Sequence, residues 1–129
     1  MDWFEEDVVL AIHEVQIAEH GGTPGIRDRG LLLSALTRPQ NVAQHTETDV
    51  PELAALYALG IIKNHPFVDG NKRVGAVLLV AFLELYDVEL QVSDVELVTT
   101  ILGVAEGSLS QDRFVQWVRE RARCADQRN

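Results

Sequence analysis

From residue 74 to residue 83 the chain reads VGAVLLVAFL, ten positions without a polar side chain, closed by Glu84. A helix that is apolar nearly all round has no face for water, so other elements must surround it. The run is too short to cross a bilayer, which takes about 20 residues. It predicts a central helix over residues 71–85. The rest of the chain supplies cover of the same kind. Apolar residues recur at helical spacing, and the alternation of half-buried strands is nearly absent. The expected fold is all-α and compact, one domain over residues 1–129 with about six helices around helix 71–85.

Punctuation divides the cover. A first helix is expected at about residues 5–19, with Val8, Ile12, Val15 and Ala18 as its apolar face and Val9 and Ile17 alongside. Gly21 and Gly22 end it, since glycine accepts the left-handed conformation cheaply. A turn-rich loop, residues 23–28, follows. Asp28 can cap a short helix that buries Leu31, Leu32, Leu33 and Leu36. Pro39 is expected to limit that helix, leaving residues 40–50 as a short helix and a loop. Pro51 suits the first turn of a helix running to about Asn64, and Pro66 disfavours helix at His65. After helix 71–85 come a turn at Tyr86 and Asp87 and an extended piece over residues 88–92. Residues 93–96, SDVE, read as a capping box for a helix that stops at Gly107. Ser110 caps a last helix carrying Phe114, Trp117 and Val118. The basic residues from Arg119 to Arg123 suit its C-terminal end.

Composition narrows the function classes. The 129 residues, 47% hydrophobic, suit one domain of ordinary size. A single cysteine, Cys124, cannot form an internal disulfide, so a reducing compartment is expected. The start, MDWFEE, lacks the positive region of a secretory signal, and no segment reads as a membrane span. A cytoplasmic location is expected. With 11 basic against 20 acidic residues the formal charge is −9. Such a surface repels phosphate backbones, and no helix pairs a basic face with aromatics, so direct nucleic-acid binding is not expected. A phosphate ligand would need a few focused cations, backbone N–H groups or a metal.

Residues 65–73, HPFVDGNKR, offer that focus. Five polar or charged groups crowd between the two most apolar helices, where leaving them unpartnered would cost several kcal/mol each. A glycine-containing loop opening into a helix points backbone N–H groups outward, and the helix dipole favours an anion there. Gly70 lets the backbone approach, and Asn71 can donate from its side chain. Lys72 adds a mobile charge, and Arg73 adds a planar fork that matches phosphate oxygens. Asp69 would repel phosphate unless Mg²⁺ bridged the two, directly or through water. His65 carries the one side chain here that takes a proton near pH 7 and can deprotonate a hydroxyl that attacks phosphorus.

Blander readings exist for each residue. A lone histidine at a helix end is more often bonded to a carbonyl, but Asp69, Asn71 and Arg73 beside it favour a site. Asp69 can cap the next helix. Lys72 and Arg73 can be a solvated first turn, although positive charge there opposes the dipole. Phe67 reads as a packing anchor, Pro66 as a loop former and His13 as a polar core or surface residue. Residues 25–30, GIRDRG, have P-loop glycine spacing, but leucines replace the required Lys and Ser or Thr. His13, His20 and His45 lack zinc-ligand spacing.

The nine-residue run resembles the signature of the Fic/Doc superfamily: His, any, Phe, any, Asp or Glu, Gly or Ala, Asn, a variable position, Arg. Residues 20–28 (HGGTPGIRD), 36–40 (LTRPQ) and 105–108 (AEGS) extend the resemblance to the Doc, or death-on-curing, toxin branch over nearly the whole chain. The resemblance implies a helical Fic fold with His65 as general base. It implies that Asp69 holds Mg²⁺ or orients substrate, that Gly70 and Asn71 form part of a phosphate cradle, and that Arg73 neutralises phosphate. It further implies ATP or another nucleoside triphosphate as co-substrate. The acceptor implied is a hydroxyl of a translation protein such as elongation factor Tu, whose modification arrests translation.

Lys72 separates the branches. AMP-transferring members carry a second glycine there, which lets phosphates lie against the backbone. A lysine fills that space, so the resemblance implies transfer of the terminal phosphate, with Lys72 both catalytic and phosphate-binding. Pro66 and Gly70 match the AMP-transferring signature more closely, and AMP transfer stays the alternative. A catalytically silent, antitoxin-binding module is the alternative of another class. No internal segment resembles an inhibitory helix, so restraint by a cognate antitoxin in trans is expected.

Overall fold

Six helices and two short strands make up the fold in the computed structural model, which describes residues 1–125. The helices are α1 (Glu6–His20), α2 (Arg29–His45), α3 (Val50–Asn64), α4 (Asn71–Leu85), α5 (Asp94–Glu106) and α6 (Gln111–Arg121). Strand β1 (Val88–Leu90) pairs antiparallel with β2 (Ala122–Cys124), Glu89 opposite Arg123. The all-α fold expected from the spacing is the one observed. Residues 126–129, part of the domain expected over 1–129, lie outside the described residues.

Side-chain caps start four helices. Asp28, Asp49, Ser93 and Ser110 accept from the N–H three residues on, satisfying donors that the helix cannot. The capping box at Ser93 is half formed. Ser93 takes the Glu96 N–H, but the Glu96 carboxylate turns to Arg121 and the Trp117 indole.

Helix α4 shares the centre with α3. Residues 53–62 of α3 are buried without a break, whereas α4 buries Val74, Gly75, Leu78, Leu79, Phe82 and Leu83 and leaves its other faces partly open. Glycines bring the axes close. A Cβ on Gly75 would stand 2.9 Å from Ile62 Cγ1, and one on Gly60 would stand 2.9 Å from Ala35 Cβ of α2. Tyr57, wholly buried, accepts from the Phe4 N–H through its hydroxyl and packs edge-on to Phe4. Burial pushes its phenol up from the ordinary 10.0, despite the Phe4 hydrogen bond.

Three expectations are corrected. Helix α2 does not stop at Pro39 but runs through it to His45. An internal proline costs a helix about 3 kcal/mol. Here Pro39 is itself buried, and Val42 and Ala43 beyond it pack on the core, which offsets the loss. The covered face of α1 lies one residue along from the apolar stripe. Val9 and His13 are buried, while Val8, Val15 and Ala18 are exposed. A pattern that counts histidine as polar cannot find a face built around one. The basic end of α6 stops at Arg121. Residues 122–124 leave the helix to supply the ladder partners that β1 needs.

No helix among the described residues is long and apolar enough to cross a membrane.

Candidate active site

Helices α3 and α4 are joined by the six residues His65, Pro66, Phe67, Val68, Asp69 and Gly70, and the polar groups of this joint shape the site. Helix α3 ends with His65 in the left-handed region, φ 52° and ψ 53°. A side chain other than glycine is uncommon there and is held by its surroundings. Arg27 does the holding. Its Nε donates to the His65 carbonyl at 2.7 Å and its Nη2 to the Asn64 carbonyl at 2.9 Å, satisfying oxygens that the helix end leaves over. The same loop docks by its backbone. The N–H groups of Arg27 and Asp28 donate to the Pro66 carbonyl, Val68 donates to Gly25, and Ile26 and Phe67 form an antiparallel bridge.

Phe67 is fully buried and anchors the joint. Asn71, 4% exposed, holds its backbone at both polar atoms. The ring of Phe67 stacks on His13 of α1, centroids 3.9 Å apart and planes within 7°. His13 Nε2 lies 2.8 Å from the Asp69 carbonyl oxygen, which can only accept, so the ring donates. The Asp69 carboxylate accepts from the Thr23 N–H at 3.0 Å through Oδ2 and does not cap α4.

Gly70, left-handed at φ 83°, opens α4 without a side-chain cap. The first hydrogen bond of the helix is from the Val74 N–H to the Gly70 carbonyl. The N–H groups of residues 71–73 therefore end the helix without intrahelical acceptors. Helices α1, α3, α5 and α6 carry acids in the first turn, but α4 carries none and has Lys72 and Arg73 instead. That pattern adds cationic side chains to the positive end of a helix dipole and suits an anion. Arg73 reaches back to α1, its Nη2 donating to the Gly21 carbonyl at 3.0 Å.

A cleft of about 320 Å³ opens over this end of α4, lined by Ile62, His65, residues 69–73 and Ala105 of α5. All six residues expected to act there, His65, Asp69, Gly70, Asn71, Lys72 and Arg73, line it. They do not all face it with a free side chain. The Asn71 amide is engaged with Phe67, and Arg73 is tied to α1. The crowded polar groups are also less buried than the flanking helices suggested. His65, Asp69 and Lys72 are exposed, and Asn71 alone of the segment's polar side chains is buried. The joint sits at the open end of the helix pair, not in its middle. Asp69 is the one carboxylate lining the cleft, and the described residues hold no cluster of three or more candidate metal ligands.

Two supports lie outside the residues expected to act: Arg27, and His13, expected as a polar core or surface residue and found in the core. Arg27 lies in a segment singled out for resemblance. For His13 the available signal was its i, i+4 spacing from Val9.

Residues 3–83 match the model of a family described as the Fic/DOC family. The chain is similar to the protein kinase doc of Escherichia phage P1, 33% identical over 103 residues that cover 79% of this chain and 81% of that protein. It is also similar to the toxin Doc of Mycolicibacterium smegmatis, 37% identical over 73 residues covering 54% of this chain and 55% of that one.

Proposed function

Given that the chain belongs to the Fic/DOC family, we propose that it is the toxin of a toxin–antitoxin module. Its proposed reaction is transfer of the terminal phosphate of ATP or another nucleoside triphosphate to a serine or threonine hydroxyl of a translation protein such as elongation factor Tu. The relatives' descriptions as a protein kinase and a toxin support this reading. The observation that carries it is the cleft in which His65 and the uncapped start of α4 lie together.

In this reading the neutral His65 imidazole takes the proton of the acceptor hydroxyl, and the oxygen attacks the γ-phosphorus. The bond to the bridging oxygen breaks, and the nucleoside diphosphate leaves with the electron pair. Charge on the transferring group is met by the N–H groups at the start of α4, by Lys72 and by Arg73. Arg73 would have to trade a carbonyl of α1 for phosphate. Mg²⁺ fits the site only as an ion shared with the nucleotide. Asp69 would hold it directly or through water, because one carboxylate cannot form a protein-only cage. When bound, Mg²⁺ would neutralise charge on the phosphates.

An antitoxin in trans is part of the reading. An apolar groove of about 190 Å³ adjoins the cleft, lined by Ala76, Leu97, Val98, Ile101 and Leu102 with Lys72 and Arg73 at its rim. A helix with an apolar face and acidic flanks would fit it.

Paired assays with α- and γ-labelled ATP test the reaction. Label from the γ-position should reach a protein of a translation extract in the presence of Mg²⁺, and His65→Ala should abolish it. Transfer of α-label alone would replace this reading with AMP transfer. Growth arrest that survives His65→Ala would point to a binding module without catalysis.

A further inference from the structure

The described residues contain two buried polar side chains, Asn71 and His13. Asn71 is accounted for by Phe67. His13 takes no part in the chemistry proposed above, yet its ring is fixed in plane by Phe67 and its Nε2 donates to the Asp69 carbonyl. We infer that His13 is a positioning residue that fixes the Asp69–Gly70 peptide so that the Gly70 N–H faces the cleft and donates to a bound phosphate. The inference rests on the phosphate reading of the cleft.

In a trans peptide the C=O and the following N–H point in opposite directions, and the described residues include no cis peptide bond. His13 draws the Asp69 oxygen toward α1, so the Gly70 N–H points away from α1. Gly70 lines the cleft, and its N–H has no acceptor among the described residues. Glycine makes this orientation hard to keep unaided. With no Cβ, Gly70 adopts positive or negative φ at similar cost, so the 69–70 peptide can turn over. The turned peptide would present a carbonyl oxygen to the cleft, where it repels phosphate, and would withdraw a donor. A hydrogen bond from a ring held in this plane works against that alternative. The ring is buried and stacks on Phe67, whose backbone Asn71 holds at both polar groups.

Two substitutions separate the donor from the stack. His13→Phe keeps an aromatic ring against Phe67 and removes the donor. His13→Gln gives up the stack and places an amide N–H at similar reach. The full chain, labelled with ¹⁵N, is titrated with Mg²⁺–ATP while the Gly70 amide signal is followed. In the wild type that signal should move on saturation. In His13→Phe it should not move, and ATP should bind about tenfold more weakly, as befits loss of one donor to a charged group. His13→Gln should restore both. A wild-type Gly70 signal that ignores ATP overturns the inference, whether or not either variant folds. So does a His13→Phe protein that binds as the wild type does, or a folded His13→Gln protein no better than His13→Phe. Phosphate transfer is scored separately. A responsive Gly70 without label transfer would sink the proposed reaction and leave this assignment standing, and label transfer with a silent Gly70 would do the reverse.

Discussion

Asn71 closes a ring on Phe67: the Phe67 N–H donates to Oδ1 at 3.0 Å, and Nδ2 donates to the Phe67 carbonyl at 2.9 Å. One buried amide thus satisfies both backbone groups of a fully buried residue, whose bridge to Ile26 leaves its own N–H and C=O unpaired. Asn71→Ala leaves a buried donor and a buried acceptor without partners, a cost of about 2–4 kcal/mol. Urea unfolding should show that loss, and hydrogen exchange should show the Phe67 amide losing protection ahead of the α3 core. A fall in transfer without loss of stability would instead mean that the Asn71 side chain leaves Phe67 to meet substrate.

His65 stands at φ 52° with its side chain exposed, so its backbone is strained while its imidazole contributes little packing. Left-handed backbone costs a residue with a Cβ roughly 1–2 kcal/mol relative to glycine. His65→Gly should therefore raise stability by about 1 kcal/mol, while phosphate transfer disappears. His65→Ala should lose transfer without the gain. Thermal melts beside the labelled-ATP assay check both, and equal melting temperatures for the two variants would count against strain at this position.

Away from the site, Asp49 caps α3 and pairs with Arg119 of α6 at 2.9 Å. Burial is the largest single influence on Asp49 and raises its pKa. Hydrogen bonds from Arg119 and the Glu52 N–H, with the Arg119 charge, outweigh it, and the carboxyl sits below its ordinary 3.8. A depressed carboxylate contributes stability above its unfolded pKa and loses it as the pH falls through the folded one. Both side chains are more than a third exposed, so solvent screening keeps the pair at about 0.5 kcal/mol. Arg119→Gln also removes a 3.3 Å contact with Glu52 and should cost about 0.5–1 kcal/mol at neutral pH. The gap from wild type should close in acid, as the pH falls below the ordinary 3.8 and through the lowered value of Asp49. Urea melts at stepped pH would reveal a gap that fails to close, in which case Arg119 acts through packing.

The regular parts of this fold were legible because they follow local rules. Asp28, Ser93 and Ser110 occupy cap positions, Pro51 lies in the first turn of α3, Gly107 ends α5 in the left-handed region, and the apolar run of residues 74–83 lies inside α4. The misses share a cause in tertiary contact. Pro39 stays inside α2 because the core covers it. Val8 and Val15 face outward because His13 is needed inside. Residues 122–124 become a strand because β1 lies opposite. At the cleft, the residues expected to act were legible as neighbours, but their contacts were not. Nothing local says that Asn71 turns inward to Phe67, that Arg73 reaches the end of α1, or that Arg27 secures His65 from 38 residues away.

The Lys72 side chain has no hydrogen bond or ion pair among the described residues, and it lines both the cleft and the apolar groove beside it. Its ammonium is the one cation at the start of α4 that can reach phosphate without giving up another partner, since Arg73 is tied to Gly21 and Gln16. If the terminal phosphate is the group transferred, Lys72→Ala should cut γ-label transfer about tenfold to a hundredfold, the worth of a charge-assisted contact. Stability should stay within about 0.5 kcal/mol of wild type, because the residue is exposed. Lys72→Gly goes further. It removes a side chain that lines the cleft, and under the proposed reading phosphates could then lie on the backbone, with the α-phosphorus within reach of the acceptor. Loss of γ-label transfer should then be accompanied by α-label appearing on the same protein target. If Lys72→Gly keeps full γ-transfer, the choice between phosphate and AMP does not lie in this side chain, and the orientation of the nucleotide must be set elsewhere in the cleft.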